Sequence, residues 1–175
     1  MLSLDLPPAP LFQDEVRENI IPQIPLAELL DKYNGSTAQL TATQAKYHRL
    51  QRLPPYLIIT IQRFSRSNFS VDKNPTLVTF PLVNLDLADG VAESPRLGDH
   101  YDLLSNISHT GSGPRRGKDG SDREAPSSGS YQVDLKHLAS DEWYRIQDLF
   151  VNPIDPQRLF LSGAYIQIWR RRPNL

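Results

Sequence analysis

Between Tyr56 and Phe64 the chain reads YLIITIQRF, aromatic or β-branched almost throughout and apolar on both faces at its start. Side chains of that kind fit a pleated strand, and a strand apolar on both sides belongs inside a sheet with a layer against each face. A chain built around this segment must supply partner strands for its backbone and cover for its side chains. The rest of the sequence offers several such strands.

Leu2 to Leu6 (LSLDL) alternates with period two and stops at Pro7-Pro8, where no ladder can continue. TLVTF at 76–80, YDLLSNISH at 101–109, Ser130 to Leu138, Trp143 to Asp148 and AYIQIWRR at 164–171 also read as strands. In the last, Tyr165, Gln167 and Trp169 alternate with Ile166 and Ile168, and the large aromatics Tyr165 and Trp169 are expected to be core or sheet-face residues. Helix signals are fewer. PLAELLDKYNG places Leu26, Leu29, Leu30 and Tyr33 on one helical face, with Pro25 at its start and Gly35 at its stop. A second helix is expected over Thr41 to Gln51, ended by Pro54, and a short helical turn over Asn84 to Asp89 with Asp86 near its start. The class that emerges is α+β, mainly an antiparallel sheet with a few short helices.

Composition narrows the functions. Nineteen Lys and Arg face twenty Asp and Glu in 175 residues, and a net charge of −1 gives no field for drawing the chain onto nucleic acid. Direct nucleic-acid binding is therefore not expected. No apolar run approaches the roughly 20 residues that span a bilayer, and MLSLDLPPAP lacks the pattern of a signal peptide, so the chain reads as soluble, intracellular and without membrane contact. There is no cysteine, which excludes disulfides, thiolate zinc sites and a thiol nucleophile within these residues. A loop at 111–129, GSGPRRGKDGSDREAPSSG, holds one alanine and no other apolar residue. It is expected to be disordered, because it cannot bury enough surface to order itself.

The order of blocks is more specific than any one of them. LPPYLIITIQRF, FPLVNLDL, YDLLSNISHTG, GSYQV, EWYRIQDLFV and AYIQIWRRR together resemble the C-terminal half of a ubiquitin-specific protease domain, and IPLAELLDKYNG is similar to the helix entering the fingers of that fold. The resemblance implies a papain-like cysteine-proteinase scaffold. It divides the chain into a fingers-type segment, 1–53, and a palm-type sheet, 54–175. The thumb, which carries the nucleophilic cysteine in that family, has no matching segment before Leu2.

In active members the glycine of the Gly-Xaa-Tyr block precedes the histidine that serves as general base. Here Gly129 and Tyr131 flank Ser130. The third triad position, an Asp or Asn after the tryptophan stretch, falls on Gln147, and Asp148 follows one residue later, on the other face if the strand continues. A serine hydroxyl cannot relay a proton near pH 7 as an imidazole does. Losing a triad member costs several orders of magnitude in rate, and the members act as a unit. His109, at the end of the strand expected to pair with the Ser130 strand, and His137, seven residues beyond Ser130, are the candidates for a replacement base; the other reading of His109 is a rim or ubiquitin-facing residue. His137 is expected to be an exposed strand residue, and His48 and His100 surface residues.

Many relatives carry Cys-Xaa-Xaa-Cys pairs that hold zinc in the fingers, so this sequence implies neither metal nor cofactor there. LDLPPAPLFQDE, IIPQIPLAELLDKYNG, KNPTLVTFPLVNLDL and GSY resemble one branch in particular, the splicing-associated proteins known from snRNP assembly-defective mutants. That resemblance implies a nuclear, non-catalytic scaffold contacting tri-snRNP proteins in pre-mRNA splicing, through exposed sheet-edge residues and the Arg170-Arg171-Arg172 tail. Two alternatives remain: a cysteine-type deubiquitinase with its nucleophile upstream and His109 as base, or a ubiquitin-binding adaptor without chemistry. A strand apolar on both faces also predicts poor solubility or association if its covering helices are absent.

Overall fold

YLIITIQ forms β5 (Tyr56–Gln62), preceded by β1 (Leu2–Asp5), β2 (Gln23–Pro25), β3 (Gln39–Thr41) and β4 (Gln44–Lys46). It is followed by β6 (Phe64–Arg66), β7 (Val71–Lys73), β8 (Leu77–Thr79), β9 (Leu85–Asp86), β10 (His100–Thr110), β11 (Ser130–His137), β12 (Glu142–Gln147), β13 (Phe150–Ile154) and β14 (Ala164–Arg171). Among the described residues the one α-helix, α1, spans Leu26–Leu30 and continues as a 3-10 turn over Asp31–Tyr33. This computed structural model describes residues 1–8, 21–41, 43–66, 71–87, 100–111 and 129–172. Residues 112–128 of the loop expected at 111–129 lie outside the described residues.

The central sheet runs in the order β1-β5-β14-β10-β11-β12-β13, with β9 against the start of β10. Only β1 and β5 are parallel in it. The expected strands at 2–6, 56–64, 76–80, 101–109, 130–138, 143–148 and 164–171 are all present, and so is the helix from Pro25. Gly35 takes a φ of +78° where that helical stretch ends, which favours glycine over any residue with a Cβ. Leu26 and Leu29 are buried, as their spacing predicts.

Two helical expectations are overturned. The segment 41–51 contains the end of the β3–β4 hairpin, paired Gln39 to Lys46 and Thr41 to Gln44, then a bridge from Arg49 back to Asn34. β-branched residues such as Thr43 disfavour helix here, and Ala45 has no core to face, since β4 is exposed throughout. Of the helical turn expected over Asn84 to Asp89, the described residues 84–87 are not helical either, and 88–89 lie outside the described residues. Asn84 takes a positive φ of 59°, and Leu85 and Asp86 then extend along Tyr101 and His100. β13, not expected from the sequence, carries Pro153, tolerated because β13 is at the edge of the sheet.

The register of the sheet sorts the side chains into rows. One row crosses Ile59, Gln167, Asn106, Asp134, Arg145 and Asn152; the rows on either side are Ile58, Ile168, Ser105, Leu135, Tyr144, Pro153 and Thr60, Ile166, Ile107, Val133, Ile146, Val151. Adjacent rows point to opposite faces. The first lies on the inner face, toward the core of Leu4, Ile59, Ile61, Leu103, Leu159 and Trp169, all at 0% exposure. α1 and the 3-10 turn Pro156–Leu161 contribute Leu26, Leu29 and Leu159 to that same core. The apolar side chains of the other two rows belong to the outer face and to no part of the buried cluster. β5 is therefore covered on one side only, alternating exposed and buried, and the expected second layer is not among the described residues.

Candidate functional site

The inner face turns polar toward β11 and β12. Asp134, fully buried, accepts two hydrogen bonds from Arg145, Nε to Oδ1 at 2.7 Å and Nη2 to Oδ2 at 3.2 Å. Buried Asn106 donates to Ser162 Oγ (2.9 Å), and Gln167 donates to Asn106 Oδ1 while accepting from the Trp169 indole. A buried carboxylate requires such a partner, since an unpaired charge there costs several kcal/mol.

Ser130 and Gln147 stand at the end of this polar face, and the fold brings them together. Gln147 Nε2 donates to Ser130 Oγ at 2.8 Å. Thr110, the cross-strand neighbour of Ser130, donates its hydroxyl to the Ser130 carbonyl at 2.9 Å and lies 2.9 Å from Ser130 Oγ. With the threonine proton committed to the carbonyl, the serine proton is the one that bridges the two hydroxyls. The result is one directed chain: Gln147 amide to Ser130 hydroxyl to Thr110 hydroxyl to Ser130 carbonyl. All its members are neutral. None can accept a proton from a thiol near pH 7.

Thr110 was not singled out from the sequence, although it directly follows His109; its role depends on register, which a single strand does not reveal. Asp148 is not the next residue of a continuing strand. It sits in the two-residue turn between β12 and β13 with a φ of +52°, so strand alternation does not apply to it. Asp is among the few non-glycine residues that tolerate this region.

His109 pairs with Tyr131, one step along the ladder from Ser130, and makes no hydrogen bond to it. Its ring lies edge-on to Tyr131 at 5.0 Å and to Phe64 at 5.3 Å, and Tyr165 completes the aromatic group at 5.6 Å from Phe64. The ring also rests on Gly129: a Cβ there would stand 2.2 Å from His109 Cε1 and Nε2, and 2.6 Å from the Thr110 carbonyl oxygen. Burial, and then the charge of Lys73, lower the His109 pKa, so the imidazole is neutral at pH 7, and its Nδ1 has no partner. Lys73 Nζ in turn donates to the carbonyls of His109 (2.6 Å) and Gly111 (3.1 Å). Arg63, buried where β5 gives way to β6, donates to the Ala164 and Thr76 carbonyls, and burial lowers its pKa to about 10.

The other histidines are apart from this group. His137 is exposed at the far end of β11, its Nδ1 2.8 Å from Ser140 Oγ. His48 is exposed beside Tyr33, and His100 is half-buried where β10 begins. Among the described residues no three His, Asp or Glu side chains gather as a set for a metal ion.

Comparison with known proteins places this geometry. The family described as ubiquitin carboxyl-terminal hydrolase matches residues 11–169. Ubiquitin carboxyl-terminal hydrolase 39 of Homo sapiens is 44% identical over 99% of this chain, which corresponds to 30% of that protein. "Probable mRNA-splicing protein ubp10" of Schizosaccharomyces pombe is 36% identical over 97% of the chain and 33% of its own length. A crystal structure described as an essential yeast splicing factor superposes with a TM-score of 0.66 at 26% identity, over 98% of this chain and 36% of that one. The chain thus spans about a third of the length of these relatives. It belongs to the ubiquitin carboxyl-terminal hydrolase family, has the papain-like ubiquitin-specific protease fold, and resembles splicing proteins of that family over nearly its whole length.

Proposed function

We propose that the chain is part of a non-catalytic, ubiquitin-specific-protease-like scaffold of the nuclear splicing machinery, acting in tri-snRNP assembly or maintenance. The observation that carries this reading is the closed chain Gln147–Ser130–Thr110. It occupies the positions where the family resemblance puts the imidazole base and the side chain that orients it, and it offers no group able to deprotonate a thiol. The splicing names of two relatives give the reading its direction. A scaffold needs the fold and its surfaces but not the acid-base pair.

Two assays on the full-length gene product test it. Hydrolysis of a ubiquitin C-terminal fluorogenic substrate is expected to be absent, and the small nuclear RNAs of the tri-snRNP are expected to co-purify from nuclear extract. Hydrolysis would overturn the non-catalytic part, and absence of those RNAs the splicing part.

One observation favours a second reading, a cysteine-type deubiquitinase with His109 as base: the imidazole is neutral at pH 7 and its Nδ1 is unpaired. Under that reading hydrolysis occurs and is lost in His109→Ala. Titration with labelled ubiquitin separates both from an adaptor that binds without chemistry.

A further inference from the structure

Of the buried side-chain atoms left without a hydrogen-bond partner, two flank one residue, Ala164, on the inner face of the sheet. Arg63 continues the alternation of Ile59 and Ile61 into the core and is 2% exposed. Its Nε donates to the Ala164 carbonyl, and its Nη1 donates to the carbonyls of Thr76 (2.6 Å) and Asn74 (3.1 Å). Its Nη2, with two further donors, meets no acceptor. Ser108, 1% exposed, pairs with Ala164 from the other side. It lies two residues beyond Asn106 on the same face, and its Oγ is unpartnered as well. Between the two stands a methyl group, the smallest side chain of β14.

The charge is as bare as the donors. Among the described residues no carboxylate forms an ion pair with Arg63 or with Lys73, the cation nearby. Burial, and then Arg63, lower the Lys73 pKa, while burial brings Arg63 only to about 10, so the guanidinium is charged at pH 7. A buried charge is stable when it is both hydrogen-bonded and compensated. Carbonyls hydrogen-bond Arg63 without compensating it.

We propose that Arg63 Nη2 and Ser108 Oγ are the donors of an internal site for a small monovalent anion, chloride in the cell, seated beside Ala164. Size selects the ligand: both atoms are closed to solvent, so a phosphate ester or the carboxylate of a peptide has no way to reach them. Charge selects an anion over water, since a water would satisfy the two donors but leave two neighbouring cations uncompensated. The bound ion ties the junction of β5 and β6 to the end of β10 and the start of β14. Ser108 is two residues from Thr110, so the ion also fixes the strand end on which the Gln147–Ser130–Thr110 chain is built.

The inference does not depend on the reading of Ser130, and its test has no catalytic readout. Thermal unfolding of the gene product at its natural length is followed in sodium chloride and in sodium gluconate at matched ionic strength, gluconate being too large for the site. A midpoint that rises and saturates with chloride but not with gluconate is expected, because a ligand of the folded state alone stabilises it by mass action. Ser108→Ala removes one donor and leaves every charge in place. It is expected to raise the half-saturating chloride concentration about tenfold. Arg63→Met is expected to abolish the chloride response; should it not fold, Ser108→Ala still decides. Crystals soaked in sodium bromide locate the ion, with an anomalous peak expected in contact with Arg63 Nη2 and Ser108 Oγ. Midpoints that follow ionic strength alone, a chloride response unchanged in Ser108→Ala, or bromide found only elsewhere would each overturn the proposal.

Discussion

The two faces of one sheet differ in a way that burial alone does not explain. On the inner face, a row with four polar side chains at its centre is closed off by hydrogen bonds: Gln167 to Asn106, Asn106 to Ser162, and Arg145 to Asp134. On the outer face, the Ile, Val, Leu and Tyr side chains of two rows are half-buried or exposed, and none joins the buried cluster. A buried face needs its polar groups satisfied more than it needs to be apolar, and an apolar face in the open needs a partner. What differs is which face already has its cover.

Substitution at neighbouring positions of β5 gives the sharpest test of that contrast and the largest effect. Ile59→Lys forces a charge into the core, where it has no partner, and is expected to cost more than about 4 kcal/mol and prevent folding. Ile58→Lys, one residue away on the open face, is expected to change the stability of the 175-residue chain by less than about 1 kcal/mol. Equal losses in urea unfolding would erase the distinction between the faces.

Next in size is the ion pair. Arg145→Ala leaves the Asp134 carboxylate buried without its partner, at an expected cost of about 3–5 kcal/mol. The double variant Asp134→Leu with Arg145→Leu removes both charges and is expected to recover most of that loss. If the single and double variants were equally unstable, apolar packing around Arg145, rather than its charge, would be what the inner row requires.

A smaller change is expected at Gly129→Ala. The added methyl would meet the His109 ring at 2.2 Å and the Thr110 carbonyl oxygen at 2.6 Å, so the ring or the strand end has to move. The expected loss is about 1–3 kcal/mol, the range for overpacking. His109→Ala in the same chain makes room for the methyl beside the ring but leaves the backbone contact, so it should relieve only part of the loss. Full additivity of the two substitutions in thermal unfolding would show that the ring is not the obstacle.

How much of this was legible in the sequence follows from the range of the interaction involved. β5, β10, β11, β12 and β14 were readable because alternation and β-branching are local, and α1 because its leucines recur at helical spacing. The β3–β4 hairpin was misread as helix: its stability comes from cross-strand pairs, which single-strand periodicity does not report. Ser130 and Gln147 could be singled out through the family blocks, but their hydrogen bond and the part of Thr110 depend on registers across three strands. In β14 the alternation is legible and so is the burial of its tryptophan. Trp169 is buried as its size predicts, and what no periodicity reports is that Gln167, on the same face, is buried with it, held by Asn106 and the Trp169 indole.

His109 gives the subtlest test of where the inner packing ends and the open face begins, since it sits at the margin of both. Its pKa is lowered, first by burial and then by Lys73, so the folded state holds a proton on this ring less tightly than the unfolded chain does. Above the ordinary histidine value, near 6.5, both states are neutral and the ring's packing contributes in full. As pH falls through that value the unfolded chain takes up the proton first, and the contribution is lost as pH continues down through the lowered folded value. Urea midpoints measured from pH 7.5 to 5 are therefore expected to fall, and the slope to flatten in His109→Asn, which cannot titrate. An unchanged slope in that variant would mean that the ring is solvated in the folded chain, and that its contacts with Phe64, Tyr131 and Gly129 do not hold it out of water.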